Sequence, residues 1–398
     1  MNKKISIGLC ISLMAIASAI TFIISTSYST SLFDKLISDV QKRSEMYQKL
    51  EQIDTYVRAY YDGNIDEDVL IEALAEGYVS VINDSDADYL NKAEYELYKE
   101  HLNGTHLGIG VYTEAVGGYP CVTQVLADSP ASLAGITIGE SIVEINGESV
   151  LNIGYDKAVG MLRSEAGTPL SITLRSGGVD RTVNVTTTQM TTATVNAKTF
   201  GEYGYIKVYR FNDKTYQQFL AALSMLTTNG VKGVMIDLRN NDGLSFDPAI
   251  NLLSVVLPNE RVVAVKTDLS GEETVFERAK GTSVPNVPVC IITNAKTTGP
   301  AELFAAALRD NIGASVVGVT TAGKCSLLES YALYDGTAII LPTAELRSSD
   351  TAISGVGVKP DFEVAIADDS DELLATLDDT TDSCIKKAIE ILASKTTN

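Results

Sequence analysis

The C-terminal half of the sequence predicts an α/β fold, and the region before it predicts a smaller β-rich domain. Between residues 189 and 367, short β-branched segments alternate with longer segments of helical composition, as they do in α/β proteins. The predicted strands are Tyr205–Tyr209, Val234–Leu238 and Val289–Thr293, and the predicted helices are Thr215–Thr228, Pro248–Val256 and Ala301–Asp310. An apolar content of 45% with 21% charged residues is typical of a globular protein rather than of a disordered one.

Length, charge and cysteine content limit the classes of function. A chain of 398 residues is long enough for about two to three domains. With 31 Lys and Arg against 51 Asp and Glu, the formal net charge is −20, which argues against nucleic acid and anionic membrane surfaces as partners. The five cysteines have no C-x-x-C spacing, so we expect neither a zinc site nor a disulfide framework. No cofactor is expected.

Other metal and catalytic patterns are weak. The aspartates of Asn83–Asp88 lack the glycine and the distal glutamate of an EF-hand, so no metal site is predicted there. The two histidines, His101 and His106, both precede the α/β region. A Ser-His-Asp triad in that region is therefore not favoured.

The N-terminus carries a long apolar segment. Residues 1–4 are basic, and Ile5–Ile24 is a 20-residue stretch without charge, long enough to cross about 30 Å of hydrocarbon as a helix. We predict a cytoplasmic tail over residues 1–4 and an uncleaved anchor over residues 5–27, which makes the protein a single-pass cell-membrane protein whose bulk is extracytoplasmic. A cleavable signal peptide is the alternative, although Ser25-Thr26-Ser27 only weakly matches a cleavage site.

Residues 31–103 predict a helical N-terminal region. Apolar residues between Leu32 and Tyr61 recur at spacings of three, four and seven among many charges, which indicates an amphipathic helix, and Asp66–Ile82 shows a second helical pattern. The first helix either packs on a partner or serves as a solvated spacer. A homodimer through this region and through a C-terminal helix, predicted over residues 368–398, is one expectation.

Several motifs between residues 104 and 188 together resemble a PDZ domain. They are the loop Leu107-Gly108-Ile109-Gly110-Val111, the turn Asp128-Ser129-Pro130-Ala131, the segment Gly139–Glu148 and the alternating strand Leu170–Leu174. The resemblance implies binding of protein or peptide C-termini, because backbone N–H groups of the glycine loop converge on a carboxylate while the peptide adds as a strand to the sheet edge. The residues of that site are Leu107, Gly108, Ile109, Gly110 and Val111.

The segment from residue 287 to residue 330 carries the strongest family resemblance. It reads VPVCIITN, AKTTGPAELFAAALRD and NIGASVVGVTTAGKCSLLES, which predicts a strand, a loop, a helix from Ala301, a second strand and a turn at Gly323-Lys324. It resembles the carboxyl-terminal processing (tail-specific) serine peptidases. The resemblance implies a crotonase/Clp-protease-like α/β core over residues 189–367 with an inserted PDZ domain over residues 104–188.

The catalytic positions that the resemblance implies are changed in this chain. The family has a serine 25 residues before a general-base lysine, and counting back from Lys324 reaches Gly299, which has no hydroxyl. A glutamine four residues after the lysine orients it in the family, and Leu328 stands there. The implied oxyanion region is Gly243, Leu244 and Pro300. Leu244 replaces the second glycine of the family's Asp-Leu-Arg-x-Asn-x-Gly-Gly signature, and Pro300 has no N–H to donate.

Two hypotheses of function follow. The first is a membrane-anchored pseudoprotease that binds protein C-termini through its PDZ domain and acts as a scaffold or sensor. The alternative is an active serine-type endopeptidase with Lys324 as base and another nucleophile, for which the candidates are Thr297, Thr298 and Cys325. A hydroxyl shifted along the backbone points elsewhere, and Cys325 faces away from Lys324 if that segment is extended, so the first hypothesis is favoured.

Overall fold

The computed structural model describes residues 40–365 and 380–396, together with Ser18, Ile20, Thr21 and Thr26. The predicted tail and, apart from those four residues, the predicted anchor over residues 5–27 lie outside the described residues. Of the helices in the described part of the chain, none is both long and apolar enough to cross a bilayer. The chain divides into two compact units, Met1–Ile71 and Glu72–Asn398.

In the first unit, residues 40–60 form one helix, α1, in agreement with the predicted amphipathic helix. Its apolar side chains Tyr47, Ile53 and Tyr60 are exposed. Arg58 forms ion pairs with Asp54 at 2.7 Å and with Glu67 at 2.6 Å. Local hydrogen bonds and surface charges, rather than burial, therefore hold this helix.

Two helices and a short strand follow: α2 (Glu67–Ser80), β1 (Asp88–Leu90) and α3 (Lys92–Asn103). A capping box starts α3, because the Asn91 side chain accepts from the N–H of Ala93 and Glu94 while the Glu94 carboxylate accepts from the N–H of Asn91. Gly104 ends the helix at a φ of +63°. The helix thereby leads directly into the β-rich domain.

The β-rich domain contains eight strands and three short helices within the described residues. The strands are β2 (Thr105–Gly108), β3 (Val111–Val116), β4 (Tyr119–Val125), β5 (Ser141–Ile145), β6 (Glu148–Ser149), β7 (Pro169–Ser176), β8 (Val179–Thr186) and β9 (Thr188–Thr191), and the helices are α4 (Pro130–Leu133), α5 (Val150–Ile153) and α6 (Tyr155–Leu162). One sheet has the order β3-β4-β5-β7-β8 with β6 beside β5, and β2 pairs with β9. Strand β3 therefore lies at a sheet edge, where a peptide strand could be added.

The α/β domain is built on a second six-stranded sheet. The strands of the domain are β10 (Val195–Phe200), β11 (Tyr203–Val208), β12 (Gly233–Asp237), β13 (Val262–Thr267), β14 (Glu273–Arg278), β15 (Val289–Thr293), β16 (Ser315–Gly318), β17 (Ser326–Ala332), β18 (Ala338–Arg347) and β19 (Phe362–Glu363), and its helices are α7 (Thr215–Thr228), α8 (Phe246–Val256), α9 (Pro300–Ile312) and α10 (Ser383–Thr396). The main sheet has the order β10-β11-β12-β15-β16-β19, parallel from β11 onward. The predicted α/β core is confirmed.

A separate sheet in this domain was not predicted. It has the order β1-β18-β13-β14, and β17 pairs with β18. It joins the segment before α3 to strands of the core, since Asp88 lies opposite Ile340. This pairing carries the segment 83–90 toward the core, where it meets the candidate site.

The described part of the C-terminal region, for which a helix is predicted over residues 368–398, contains the helix α10. Helix α10 begins only at Ser383, because the Asp382 side chain caps it by accepting from the N–H of Cys384 and Ile385 at 2.8 and 3.1 Å. Residues 366–379 lie outside the described residues. The apolar face of α10 is buried against the main sheet, with Leu392 fully buried, so this face is not available for the expected homodimer contact.

Candidate active site and peptide-binding groove

Position 299 lies on a sharp turn between a central strand and a helix. Strand β15 ends at Thr293, and α9 begins at Pro300, so the turn stands at the carboxyl end of a parallel strand, where sites of open α/β sheets form. Gly299 has φ +58° and ψ −120°, a conformation that favours glycine. A Cβ built there would meet only the Lys324 carbonyl oxygen, at 3.7 Å. The turn therefore has room for a side chain that the residue does not supply.

Glu302 fixes this turn to the loop that carries Lys324. The side chain is fully buried and accepts hydrogen bonds from the N–H of Gly299 at 3.0 Å, Gly323 at 2.7 Å and Lys324 at 2.8 Å, and from the Thr321 hydroxyl. Burial raises the pKa of Glu302 above its ordinary value, against the effect of these hydrogen bonds. The two halves of the candidate site are thus joined through a structural carboxyl group.

The Lys324 side chain points to the segment 83–90 and not to residue 328. Its Nζ lies 3.0 Å from Ser85 Oγ and 3.2 Å from Asp86 Oδ1, and half of the side chain is exposed. Leu328 lies in β17 opposite Pro342 and is itself partly exposed. The ion pair with Asp86 therefore orients Lys324, a role that the family resemblance assigns to a glutamine at position 328.

The backbone N–H groups of the predicted oxyanion region are hydrogen-bonded within the protein. The Gly243 N–H donates to Asn241 Oδ1 at 2.9 Å, and the Leu244 N–H donates to the Asp242 carbonyl at 3.2 Å. Leu244 has a φ of +81° although it is not glycine. A Cβ on Gly243 would lie 2.5 Å from Pro300 Cδ, so the two parts of the region are in close contact. The structure brings the predicted positions together, but it leaves no donor among them for an oxyanion.

Two of the three alternative nucleophiles have structural roles. The buried Thr297 hydroxyl donates to the Leu238 carbonyl at 2.9 Å and accepts from the Asn294 N–H at 3.1 Å. Cys325 is fully buried, its Sγ lies 3.9 Å from the Gly299 carbonyl oxygen, and burial raises the pKa of its thiol well above the ordinary value. The side chain of the preceding residue, Lys324, is by contrast half exposed. Thr298 is half-buried, and its N–H donates to the Asn241 carbonyl at 3.0 Å.

A buried network of charged side chains adjoins the site. It was not predicted from the sequence. Arg239 Nη2 lies 2.5 Å from Asp237 Oδ2 and 2.8 Å from Asp382 Oδ2, the Tyr205 hydroxyl donates to Asp237, and Lys207 Nζ lies 3.5 Å from Asp237 Oδ1. Burial disfavours the charged Asp237, but Lys207 and Arg239 outweigh it and hold the pKa of Asp237 well below its usual range. The Asp-Leu-Arg motif thus anchors α10 to the main sheet.

The predicted peptide-binding loop lies between β2 and β3, beside the C-terminal end of α6. Gly108 has a φ of +131°, and a Cβ there would lie 2.5 Å from the Leu162 carbonyl oxygen. The Ile109 N–H donates to that same oxygen at 3.2 Å. At the other end of α6, the Tyr155 hydroxyl donates to the Thr113 carbonyl of β3 at 3.0 Å. Loop, edge strand and helix therefore form one groove, whose two ends are bridged by the protein's own groups.

Both histidines lie beside Tyr112 of β3. Their rings are centred 6.1 Å (His101) and 5.2 Å (His106) from the tyrosine ring. Burial lowers the pKa of His101 to about 4, and the charges of Arg210 and Arg163 act in the same direction. Burial also lowers the pKa of His106 to about 4, together with the charges of Arg163 and His101. Both rings are neutral at pH 7.

This burial predicts a loss of stability in mild acid. An unfolded histidine takes up a proton near pH 6.5, whereas folded His106 does so only near pH 4. Between these values the unfolded state binds more protons than the folded state, so the free energy of unfolding decreases as the pH decreases. For His106, which is 1% exposed, the loss at pH 5 is about 2 kcal/mol. The free energy of unfolding, measured by urea unfolding at pH 7 and at pH 5, should therefore decrease less between these two pH values in His106→Leu than in the wild type. An identical decrease for both proteins would contradict the prediction.

Comparisons with known proteins agree with these two domains. Residues 202–364 match the model of peptidase family S41, and residues 121–176 match that of the PDZ domain. The chain is 26% identical over 357 residues to the carboxy-terminal processing protease CtpA of Bacillus subtilis, and the match covers 89% of this chain and 75% of that protein. It is 27% identical over 315 residues to the carboxy-terminal-processing protease of Bartonella bacilliformis, and this match covers 77% of this chain and 72% of that protein. Among solved structures, the photosystem II D1 C-terminal processing protease matches with a TM-score of 0.47 and 21% identity over 79% of this chain and 86% of that one.

Proposed function

We propose that this chain, with its peptidase family S41 domain over residues 202–364 and its PDZ domain over residues 121–176, binds protein C-termini without cleaving them. The observation that carries this proposal is the turn at Gly299. It has no side chain to attack a carbonyl, and the N–H groups around it are absent at Pro300 or hydrogen-bonded internally at Gly243, Leu244 and Gly299. A peptide carbonyl placed there would meet neither a nucleophile nor an oxyanion donor.

A retained groove without a cleavage site suits a scaffold or sensor. The edge strand β3 and the glycine loop provide backbone groups for an added peptide strand. We place this activity at the cell membrane, with residues 5–27 as the anchor and the basic residues 1–4 on the cytoplasmic side. The exposed apolar residues of α1 support pairing of two copies through that helix.

A second candidate function is peptidase activity with Thr298 as nucleophile. Its support is specific, since Thr298 directly precedes the turn at Gly299 and is half-buried. Its backbone is displaced by one residue from the serine position, and such a displacement is larger than the roughly 1 Å that catalysis tolerates. The binding function is therefore the better supported of the two.

Proteolysis of an unfolded substrate tests the proposal. We expect the purified full-length chain to show no cleavage of a fluorescently labelled unfolded protein above the background given by Lys324→Ala and Thr298→Val. The reason is the missing nucleophile, whose loss costs on the order of 10⁶ in rate in a related type of site. Cleavage that disappears in both variants would replace the proposal with the second candidate. Cleavage that disappears only in Lys324→Ala would indicate another nucleophile.

A further inference from the structure

The glycine loop already holds a carboxylate, which comes from the protein itself. The Leu107 N–H donates to Glu100 Oε2 at 3.4 Å, and Arg163 Nη2 lies 2.5 Å from the same oxygen. Glu100 belongs to α3, outside the β-rich domain, whereas Arg163 directly follows α6. The two side chains are 21% and 24% exposed. A backbone N–H and a guanidinium that converge on one carboxylate oxygen are the groups that would also hold the C-terminal carboxylate of a peptide.

Other backbone groups along the groove are also hydrogen-bonded within the protein. The Ile109 N–H is bonded to the end of α6, and the Thr113 carbonyl of the edge strand is bonded to Tyr155. Both are backbone groups that a peptide strand added beside β3 would approach. The groove is therefore occupied at its carboxylate end by Glu100 and bridged further along by α6.

We propose that the Glu100 carboxylate is an intramolecular competitor of the peptide's C-terminal carboxylate for the Leu107 N–H and Arg163. This inference rests on the proposed binding of protein C-termini. A peptide enters only when Glu100 has moved off, and Arg163 then binds the incoming carboxylate in its place. The exchange of one carboxylate for another leaves the number of charge-assisted hydrogen bonds unchanged. The apparent affinity is then the intrinsic affinity multiplied by the fraction of molecules in which Glu100 is displaced.

Peptide binding to the full-length chain tests this competition. The probes are fluorescent decapeptides that end in Ala, Val or Leu, each with a free C-terminus and as its C-terminal amide. If Glu100 is displaced in about one molecule in ten, Glu100→Gln should bind the free-carboxylate peptides about tenfold more tightly than the wild type. Glu100→Asp, which keeps the charge but is one methylene shorter, should also bind them more tightly. The matched control is Glu96→Gln, one turn earlier on α3, where an exposed glutamate pairs with Lys99.

Further variants separate the outcomes. Arg163→Gln should weaken binding of the free-carboxylate peptides in both the wild-type and the Glu100→Gln background, and no Glu100 variant should improve binding of the amides. Wild-type affinity in Glu100→Gln and Glu100→Asp, with selectivity for the free carboxylate intact, overturns the competition but leaves the proposed function standing. An equal gain in Glu96→Gln also overturns it, because the gain would then follow net charge. Indifference of every variant to amidation overturns both proposals.

Discussion

The Gly299→Ser variant is expected to remain without Lys324-dependent peptidase activity. The side chain fits, since its Cβ would meet only the Lys324 carbonyl oxygen, at 3.7 Å. The hydroxyl would nevertheless act in a site where Pro300 has no N–H and where Gly243 and Leu244 donate within their own loop. Each missing oxyanion donor costs on the order of 10² to 10³ in rate. Activity should therefore stay at least about 10³-fold below that of a relative with an intact site.

Activity should return only when several parts are restored together. Gly299→Ser with Pro300→Ala supplies a nucleophile and one donor, and we expect it to give the first measurable cleavage. Adding Leu244→Gly frees the second loop, and Leu328→Gln gives Lys324 a partner other than Asp86, so each addition should increase the rate. The measurement is cleavage of an unfolded substrate, with Lys324→Ala as the control in every background. Cleavage by Gly299→Ser alone at a rate near that of an active relative would refute the account of a site lost in several parts.

Arg239→Met is expected to destabilise the α/β domain by about 3–5 kcal/mol. Arg239 is 2% exposed and pairs with both Asp237 and Asp382. Its removal leaves two buried carboxylates, of which, within the described part of the chain, Asp237 keeps the cation Lys207 and Asp382 keeps only hydrogen bonds from backbone N–H groups. Uncompensated buried charge is among the most destabilising changes in a protein. Because Asp382 caps α10, that helix should detach first, and limited proteolysis should reveal cleavage near residue 383.

The control for this variant is Lys232→Met in the same domain. Lys232 pairs with Glu202 on the surface, where both side chains are more than half exposed, and we expect little change in its urea unfolding curve. A loss of less than about 1 kcal/mol in Arg239→Met would contradict the structural role of the network. Equal losses in both variants would show that the loss is not specific to buried charge.

The sequence predicted the central strands β11, β12 and β15 of the main sheet well because these strands are buried on both faces. Val289–Thr293 is a mostly apolar, β-branched run between Pro288 and Asn294, and the observed strand β15 has the predicted ends. The second sheet gave no such signal. Most of β17 is exposed, so Ser326–Ala332 shows no alternation of apolar and polar residues, and its pairing with β18 depends on tertiary contacts.

The candidate site divides in the same way. The family resemblance, with its 25-residue spacing, located Gly299, Pro300 and Lys324 because all three lie in one continuous segment, residues 287–330. The partners of these groups come from distant segments: Asp86 pairs with Lys324, Asp382 pairs with Arg239, and Glu100 occupies the glycine loop. No local pattern marks these carboxylates among 51 acidic residues, so only the folded chain identifies them.

The backbone at residue 299 has a consequence for how this chain can evolve. At φ +58° a residue with a Cβ is strained by roughly 1–3 kcal/mol. Glycine removes that strain. For a chain that binds without cleaving, as proposed here, selection for folding alone favours glycine at this position and opposes a serine. At such a turn, a change to glycine stabilises the fold and the reverse change destabilises it.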